Sequence, residues 1–259
     1  MPALLCLIAH PDDETMLCGG TLALLARQGV AVHVLCLTRG EGGETGEPPR
    51  CERAELGALR EQELVCAVGR LGGRSLTFLG YVDPEVAPGD VLAAPAHDPA
   101  VLTSQIVSSV TQFAPEVLLT HGTNGEYGHP AHRLLHQMAR AALAGLGPAA
   151  PLFYSMAAAY PGHPYPRLAN ADDPADLVVD VSSALREKEA AALCHATQNA
   201  LFVRRRSQAA GRPLTVAEVL LREESFRRQA PAAAPGDDAF RAWLSPWLSA
   251  GAVDAPTTA

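Results

Sequence analysis

Residues 3–9 form a nearly unbroken apolar run that ends directly on His10-Pro11-Asp12-Asp13-Glu14, an imidazole and three carboxylates within five residues. An apolar run of this length reads as a strand buried on both faces, the pattern of a mostly parallel sheet covered by helices. So many ionisable groups at a strand end are costly to hold together unless something positive binds there, and a divalent metal is the simplest candidate. Much further along, His129-Pro130-Ala131-His132 supplies two more imidazoles. The two segments together offer a three-ligand N/O site with groups left over for catalysis, the pattern of a hydrolytic zinc centre.

The intervening sequence alternates between strand and helix patterns. Gly19-Gly20-Thr21 opens a helical stretch to about residue 28, with Gly29 as its C-cap, and residues 31–38 are a second β-rich run. Strand, helix and strand fit a right-handed βαβ unit. Residues 39–51, with four glycines and two prolines, form a long loop. Helical patterns follow at 53–71, 99–113 and 131–143, and strands at 76–79, 117–120, 152–156 and 177–181. A helical pattern spans 183–208, and Thr215 with Glu218 makes a capping box for another helix. The expected fold is α/β: a Rossmann-like, mostly parallel sheet flanked by helices. The expected domain covers residues 1–229, with 230–259 as an Ala/Pro-rich linker, short helix and tail. In open sheets of this kind ligands sit beyond the carboxyl ends of the strands, where the His10 cluster and the loops 39–51 and 121–132 all fall.

Composition narrows the function classes. A net charge of −8 gives no electrostatic footprint for nucleic acid, and Arg204-Arg205-Arg206 reads as a solvated helix face. The six cysteines have no paired spacing and read as buried reduced thiols. The apolar N-terminal run is too short for a signal segment or a membrane span, so a soluble cytoplasmic protein is expected.

His10 and Asp13 are three residues apart, and His132 lies on the far loop. Imidazole nitrogen and carboxylate oxygen suit Zn²⁺ at about 2.0–2.2 Å, and three protein ligands leave a position for water. With Asp13 on the metal, Asp12 is free to act as general base, its competing role being a helix N-cap. His129, when protonated, would stabilise the oxyanion or protonate the leaving amine, and Tyr127 would donate to the same oxygen. Glu14 reads either as a fourth ligand or as a group behind the site. A set of two histidines and one carboxylate serves Fe²⁺ as well as Zn²⁺, and the sequence leaves that choice open.

Six stretches carry a family resemblance: AHPDDE at 9–14, GGTLALLARQG at 19–29, TRGEGGETG at 38–46, LREQEL at 59–64, LLTHGTNGEYGHPAH at 118–132 and HATQ at 195–198. In this order they resemble the LmbE-like, or PIG-L, family of metal-dependent N-acetylglucosaminide deacetylases. The resemblance implies a Rossmann-like fold and removal of an N-acetyl group from a small amino-sugar substrate. Carried over by position, it implies His10, Asp13 and His132 as zinc ligands, Asp12 as base and His129 as acid or oxyanion stabiliser. Tyr127 falls where the mycothiol-pathway deacetylases place a carbonyl-polarising tyrosine, and Glu44, Arg60 and Asp83 match their sugar-contacting positions. The loop LTRGEGGETGEPP with LREQEL also looks like the bacillithiol-pathway deacetylases, which implies N-acetylglucosaminyl malate as substrate. Relatives are often oligomers, and a homo-oligomer is compatible with this chain. Where relatives read His-Pro-Asp-His this chain has Ala131, so a carboxylate that orients His129 must come from elsewhere.

Local explanations compete at several positions. Arg60 fits an i,i+3 pair with Glu63, and Asp83 fits a turn before Pro84. His195 and Gln198 fit a pair bracing the site from behind. Among whole functions, a thiol S-conjugate amidase would use the same centre on a bulkier amide. A non-catalytic metal- or sugar-binding module predicts a lost base or ligand, yet His10, Asp12, Asp13 and His132 are all present. A nucleotide-binding protein lacks its glycine fingerprint after the first strand. The identity of the aglycone rests on loop shapes such as 39–51 and 157–175.

Overall fold

A computed structural model describes residues 1–89, 91–231 and 238–249. The apolar run forms β1 (Ala3–Ile8), with every residue buried. There follow α1 (Asp13–Arg27), β2 (Ala31–Thr38), α2 (Leu56–Arg70), β3 (Ser75–Tyr81), α3 (Pro99–Phe113), β4 (Val117–Thr120), α4 (Pro130–Leu146) and β5 (Leu152–Met156). The second half adds β6 (Ala158–Ala159), β7 (Asn170–Pro174), β8 (Leu177–Asp180), α5 (Leu185–Cys194), α6 (Asn199–Ala210), α7 (Val216–Val219), β9 (Glu223–Ala230) and α8 (Ala239–Leu244).

Seven strands form one sheet in the order β3-β2-β1-β4-β5-β9-β8. The first five run parallel, and β9 is antiparallel to both β5 and β8. Alternation along the strands divides two cores. Leu4, Cys6 and Ile8 of β1 pack on the face that also buries α1, α2, α5 and α8, while Leu5 and Leu7 pack on the face of α3 and α4. The expected α/β sheet flanked by helices is therefore the observed one. Strand order reverses between β1 and β4, so the chains leaving these strands diverge and open a crevice at their carboxyl ends.

Several local readings change. The first helix starts at Asp13, not at the glycine pair, which lies inside it. The glycines serve packing: a Cβ at Gly20 would stand 2.4 Å from the Cβ of Val181. The helical pattern over 183–208 is interrupted between α5 and α6, where His195, Thr197 and Gln198 turn inward and are buried. Strand β9 lacks an apolar pattern, because its sequence EESFRRQA holds two glutamates and two arginines. Tertiary partners override that polarity: Glu224 is buried against Lys188 of α5, and Phe226 is buried in the core.

The reading of all six cysteines as buried thiols is corrected. Cys66 of α2 and Cys194 of α5 form a disulfide. Cys6, Cys18 and Cys36 are buried free thiols, and Cys51 is partly exposed. The two bonded cysteines sit on neighbouring helices that residue spacing alone does not bring together.

Of the expected C-terminal linker, helix and tail, residues 232–237 and 250–259 lie outside the described residues. In the described part, Phe240 and Leu244 of α8 are buried in the same core as β1 and α1. Among the described residues no helix is long and apolar enough to cross a membrane.

Candidate active site

The chain leaves β1 through His10 and Pro11 into Asp12, whose φ of 117° and ψ of −26° are unusual for a residue with a side chain. Such a conformation costs of the order of 1–3 kcal/mol and persists only where neighbours over-determine it. Arg60 of α2, itself buried, donates to the carbonyls of Pro11 and Gly40 (the latter at 2.8 Å) and pairs with the Asp12 carboxylate at 3.2 Å. Asp12 occupies the N-cap position of α1, yet its side chain makes no cap hydrogen bond, so the carboxylate remains available to the crevice. Burial pushes its carboxyl up to about 7, with Arg60 pulling it down and Asp13 adding to the rise.

From β4 the chain enters the loop that carries the histidines. Glu126 organises it. One carboxylate oxygen accepts from Nδ1 of His132 at 2.5 Å and from Nδ1 of His121 at 3.1 Å, while the other accepts from the Gly122 amide and the Asn170 carboxamide. Burial alone would raise the Glu126 carboxyl, but the two imidazoles hold it well below the usual carboxylate range. An ionised carboxylate only accepts, so both histidines carry a proton on Nδ1, and each ring when neutral keeps a lone pair on Nε2. In His121 that lone pair is used by the Ala9 amide at 3.0 Å. In His132 the buried Nε2 has no partner and faces Asp13 Oδ1 at 3.5 Å.

His10 is oriented by the same logic. Its Nε2 lies 3.1 Å from Asp83 Oδ1, which leaves Nδ1 facing Asp13 Oδ2 at 3.5 Å. Asp13 thus stands between His10 Nδ1 and His132 Nε2, the ring nitrogens turned away from Asp83 and Glu126, and a cation bound to the neutral rings would complete the arrangement. Donor atoms fall within 4.8 Å of one another in two overlapping groups, His10/His129/His132 and Asp13/His121/His132. The expected set of His10, Asp13 and His132 is split between these groups, which share His132.

His129 caps α4 and stacks on His132 with ring centroids 4.5 Å apart. Its Nδ1 accepts the Ala131 amide at 3.3 Å, so the neutral ring carries its proton on Nε2. No carboxylate among the described residues pairs with it. Burial and the neighbouring His132 and His10 lower its pKa to about 3. Tyr127 lies edge-on to both His129 and His132 and is half exposed at the mouth. Of the three positions expected to touch the sugar, Arg60 is engaged as described and Asp83 holds His10 and the Gly42 amide. Glu44 is held by Nη1 and Nη2 of Arg204 at 2.7 and 2.8 Å. Glu63 bonds Thr197 rather than Arg60, and Gln198 reaches the Glu44 carbonyl.

The family model described as GlcNAc-PI de-N-acetylase, PIG-L, matches residues 5–143. The chain belongs to the PIG-L family. Among curated relatives, 1D-myo-inositol 2-acetamido-2-deoxy-alpha-D-glucopyranoside deacetylase of Mycobacterium sp. (strain KMS) is 32% identical over 230 residues, covering 76% of this chain and 74% of the relative. Its named substrate carries inositol, not the malate that the likeness of loop 37–49 implied. Among solved structures, N,N'-diacetylchitobiose deacetylase of Pyrococcus horikoshii aligns over 87% of this chain and 82% of its own, with a TM-score of 0.58 and 20% identity. The 4-carboxy-2-hydroxymuconate hydratase GalB of Pseudomonas putida KT2440 aligns over 91% and 99%, with a TM-score of 0.61 and 23% identity. This PIG-L fold therefore accompanies more than one named chemistry, and function must be argued from the site.

Three site residues escape a reading of the sequence. Glu126 had a signal: it is the one carboxylate within the histidine loop of a PIG-L chain whose usual acidic position is Ala131. His121 opens that loop but shows no partner pattern, and Asn170 lies 44 residues beyond Glu126 with no motif at all. Replacing Glu126 by Gln is expected to weaken metal affinity about 10–100-fold, the usual effect of losing a carboxylate behind a histidine ligand. Competition with a chromogenic chelator measures it; an unchanged affinity would show that Glu126 does not orient a ligand.

Proposed function

We propose that this protein is a metal-dependent amide hydrolase that removes acetate from an N-acetylglucosamine derivative, with His10, Asp13 and His132 as the metal ligands. The observation that carries the reading is the buried, unpartnered Nε2 of His132 beside Asp13, with Asp12 next to it and not needed as a ligand. His121 is set aside because the Ala9 amide already uses its Nε2, and His129 because its Nε2 holds the proton. The donor set suits Zn²⁺ and Fe²⁺ alike. When bound, such an ion supplies Lewis acidity and a more acidic water.

The remaining steps belong to the side chains. Asp12 takes the proton of the attacking water and returns it to the sugar nitrogen as the C–N bond breaks, giving acetate and a free amine. Of the two roles expected for His129, acid or oxyanion stabiliser, the second is favoured: neutral and donating through Nε2–H, it stabilises the developing oxyanion with the Tyr127 hydroxyl. Asp83 keeps His10 oriented, and Arg60 fixes Asp12. Glu44, with Arg204, lines the approach on the side of the long loop 39–51. The relatives' names favour a polyol aglycone such as inositol, and a role in making a low-molecular-weight thiol precursor follows from that substrate class.

Acetate release from N-acetylglucosaminyl inositol and from N-acetylglucosaminyl malate, each with metal-loaded protein, tests the reading. Turnover of the inositol glycoside is expected, lost on chelation and restored by Zn²⁺ or Fe²⁺. No acetate from either substrate would overturn the thiol-precursor reading. Turnover untouched by chelation would overturn the metal-dependent one.

A further inference from the structure

Arg60 accounts for only part of what keeps Asp12 at positive φ. The Asp12 carbonyl accepts from the amides of Thr15 and Met16 at 3.1 and 2.9 Å, which ties it to the first turn of α1. Its own amide donates to Glu14 Oε2 at 3.0 Å. The second oxygen of Glu14 accepts from the Thr15 hydroxyl and from Nε2 of His195 at 2.8 Å. Both Glu14 and His195 are fully buried, and His195 lies 181 positions along the chain from Glu14, at the break between α5 and α6.

Neither residue belongs to the candidate ligand groups. A buried carboxylate and a buried imidazole are costly to place in a core unless they hold each other and something else. Here the something else is the Thr15 hydroxyl and, on the other oxygen, the backbone amide of Asp12. Without an acceptor for that amide, less holds Asp12 at the positive φ in which its carboxylate meets Arg60 at 3.2 Å.

We infer that Glu14 and His195 form a positioning pair that holds Asp12 in its positive-φ conformation and so keeps its carboxylate in the site. The inference rests on Asp12 being the base. It explains why the break between α5 and α6, far from the histidine loop, carries a buried imidazole. It also assigns Glu14 to the backbone of its neighbour rather than to the metal.

The test uses the full-length, metal-loaded protein with N-acetylglucosaminyl inositol as probe, and compares Glu14→Ala, Glu14→Gln, His195→Ala and Asp12→Asn for kcat, KM, metal content and melting temperature. Glu14→Ala is expected to lower kcat about 10–100-fold with KM and metal content held within a factor of about three. Glu14→Gln, whose amide oxygen still accepts from Asp12, recovers at least a tenfold share of that loss. His195→Ala leaves Glu14 in place and lowers kcat about tenfold, so the decision does not depend on Glu14→Ala folding. Amide hydrogen exchange across residues 9–16 needs no substrate: it speeds up in Glu14→Ala and His195→Ala beyond any global change. Unchanged kcat and unchanged exchange in a folded variant overturn the inference, as does a rate loss matched by loss of metal. Full activity of Asp12→Asn instead overturns the base assignment, and an inactive Asp12→Asn beside an active Glu14→Ala overturns the positioning pair alone.

Discussion

Asp12→Asn is expected to keep its metal and lose about 10²–10⁴-fold in kcat, the range contributed by a positioned general base. Asparagine matches the shape of aspartate and still offers an oxygen to Arg60, whose Nη2 lies 3.2 Å from Asp12 Oδ2, but it cannot take a proton from water. The substitution therefore separates proton transfer from architecture. Asp12 lies in neither group of candidate ligand atoms, so metal content measured by elemental analysis should match the parent protein. KM should move by much less than kcat, because the interaction removed is realised as the proton moves. Metal loss in step with activity would instead make Asp12 a ligand. Activity within a few-fold of the parent would remove Asp12 from the chemistry.

The second large effect concerns stability. Glu224→Ala is expected to destabilise the fold by about 3–5 kcal/mol, the cost of breaking a buried ion pair from one side. Glu224 on β9 accepts from Lys188 Nζ at 2.6 Å and from the amides of Gly20 and Thr21 in α1 at 2.9 and 2.7 Å. Both charged side chains are fully buried. Removing the carboxylate leaves an ammonium in the core whose one other hydrogen-bond partner among the described residues is the Leu221 carbonyl, at 3.3 Å. Pairing Glu224→Leu with Lys188→Met should recover much of the loss, because the stranded charge is then gone. Two α1 amides still lose an acceptor, so recovery stays incomplete. Chemical denaturation of the two variants beside the parent measures these differences. A Glu224→Ala protein within about 1 kcal/mol of the parent would contradict the argument.

The parallel half of the fold was legible because its strands are apolar throughout and its helices are bounded by glycine, proline and capping residues. Residues 31–38, 99–113 and 117–120 coincide with β2, α3 and β4. The second half was harder, because its elements depend on partners remote in sequence. β9 reads as polar until Lys188 lies opposite Glu224. Residues 183–208 read as one helix until Glu14 and Glu63 draw His195 and Thr197 inward. At the site, His10, Asp13, His129 and His132 were legible from two motifs and do converge. Arg60 and Asp83, expected from the resemblance to contact a sugar, also brace Asp12 and His10, a role the motifs do not show. A motif shows which residue types meet; it does not show which of their atoms are already taken.

β9 lies between β5 and β8 although it follows both in the chain, and among the described residues the other edge of β8 meets only the short bridge from Val179 to Leu248. A nascent chain that has left the ribosome as far as residue 222 already holds every proposed ligand and the proposed base. Its first helix nevertheless still waits for Glu224, and its edge strand for anything to pair with. Synthesis therefore delivers the chemistry early and the closure late, so a prematurely terminated product would carry the whole catalytic alphabet on a scaffold that has not been locked.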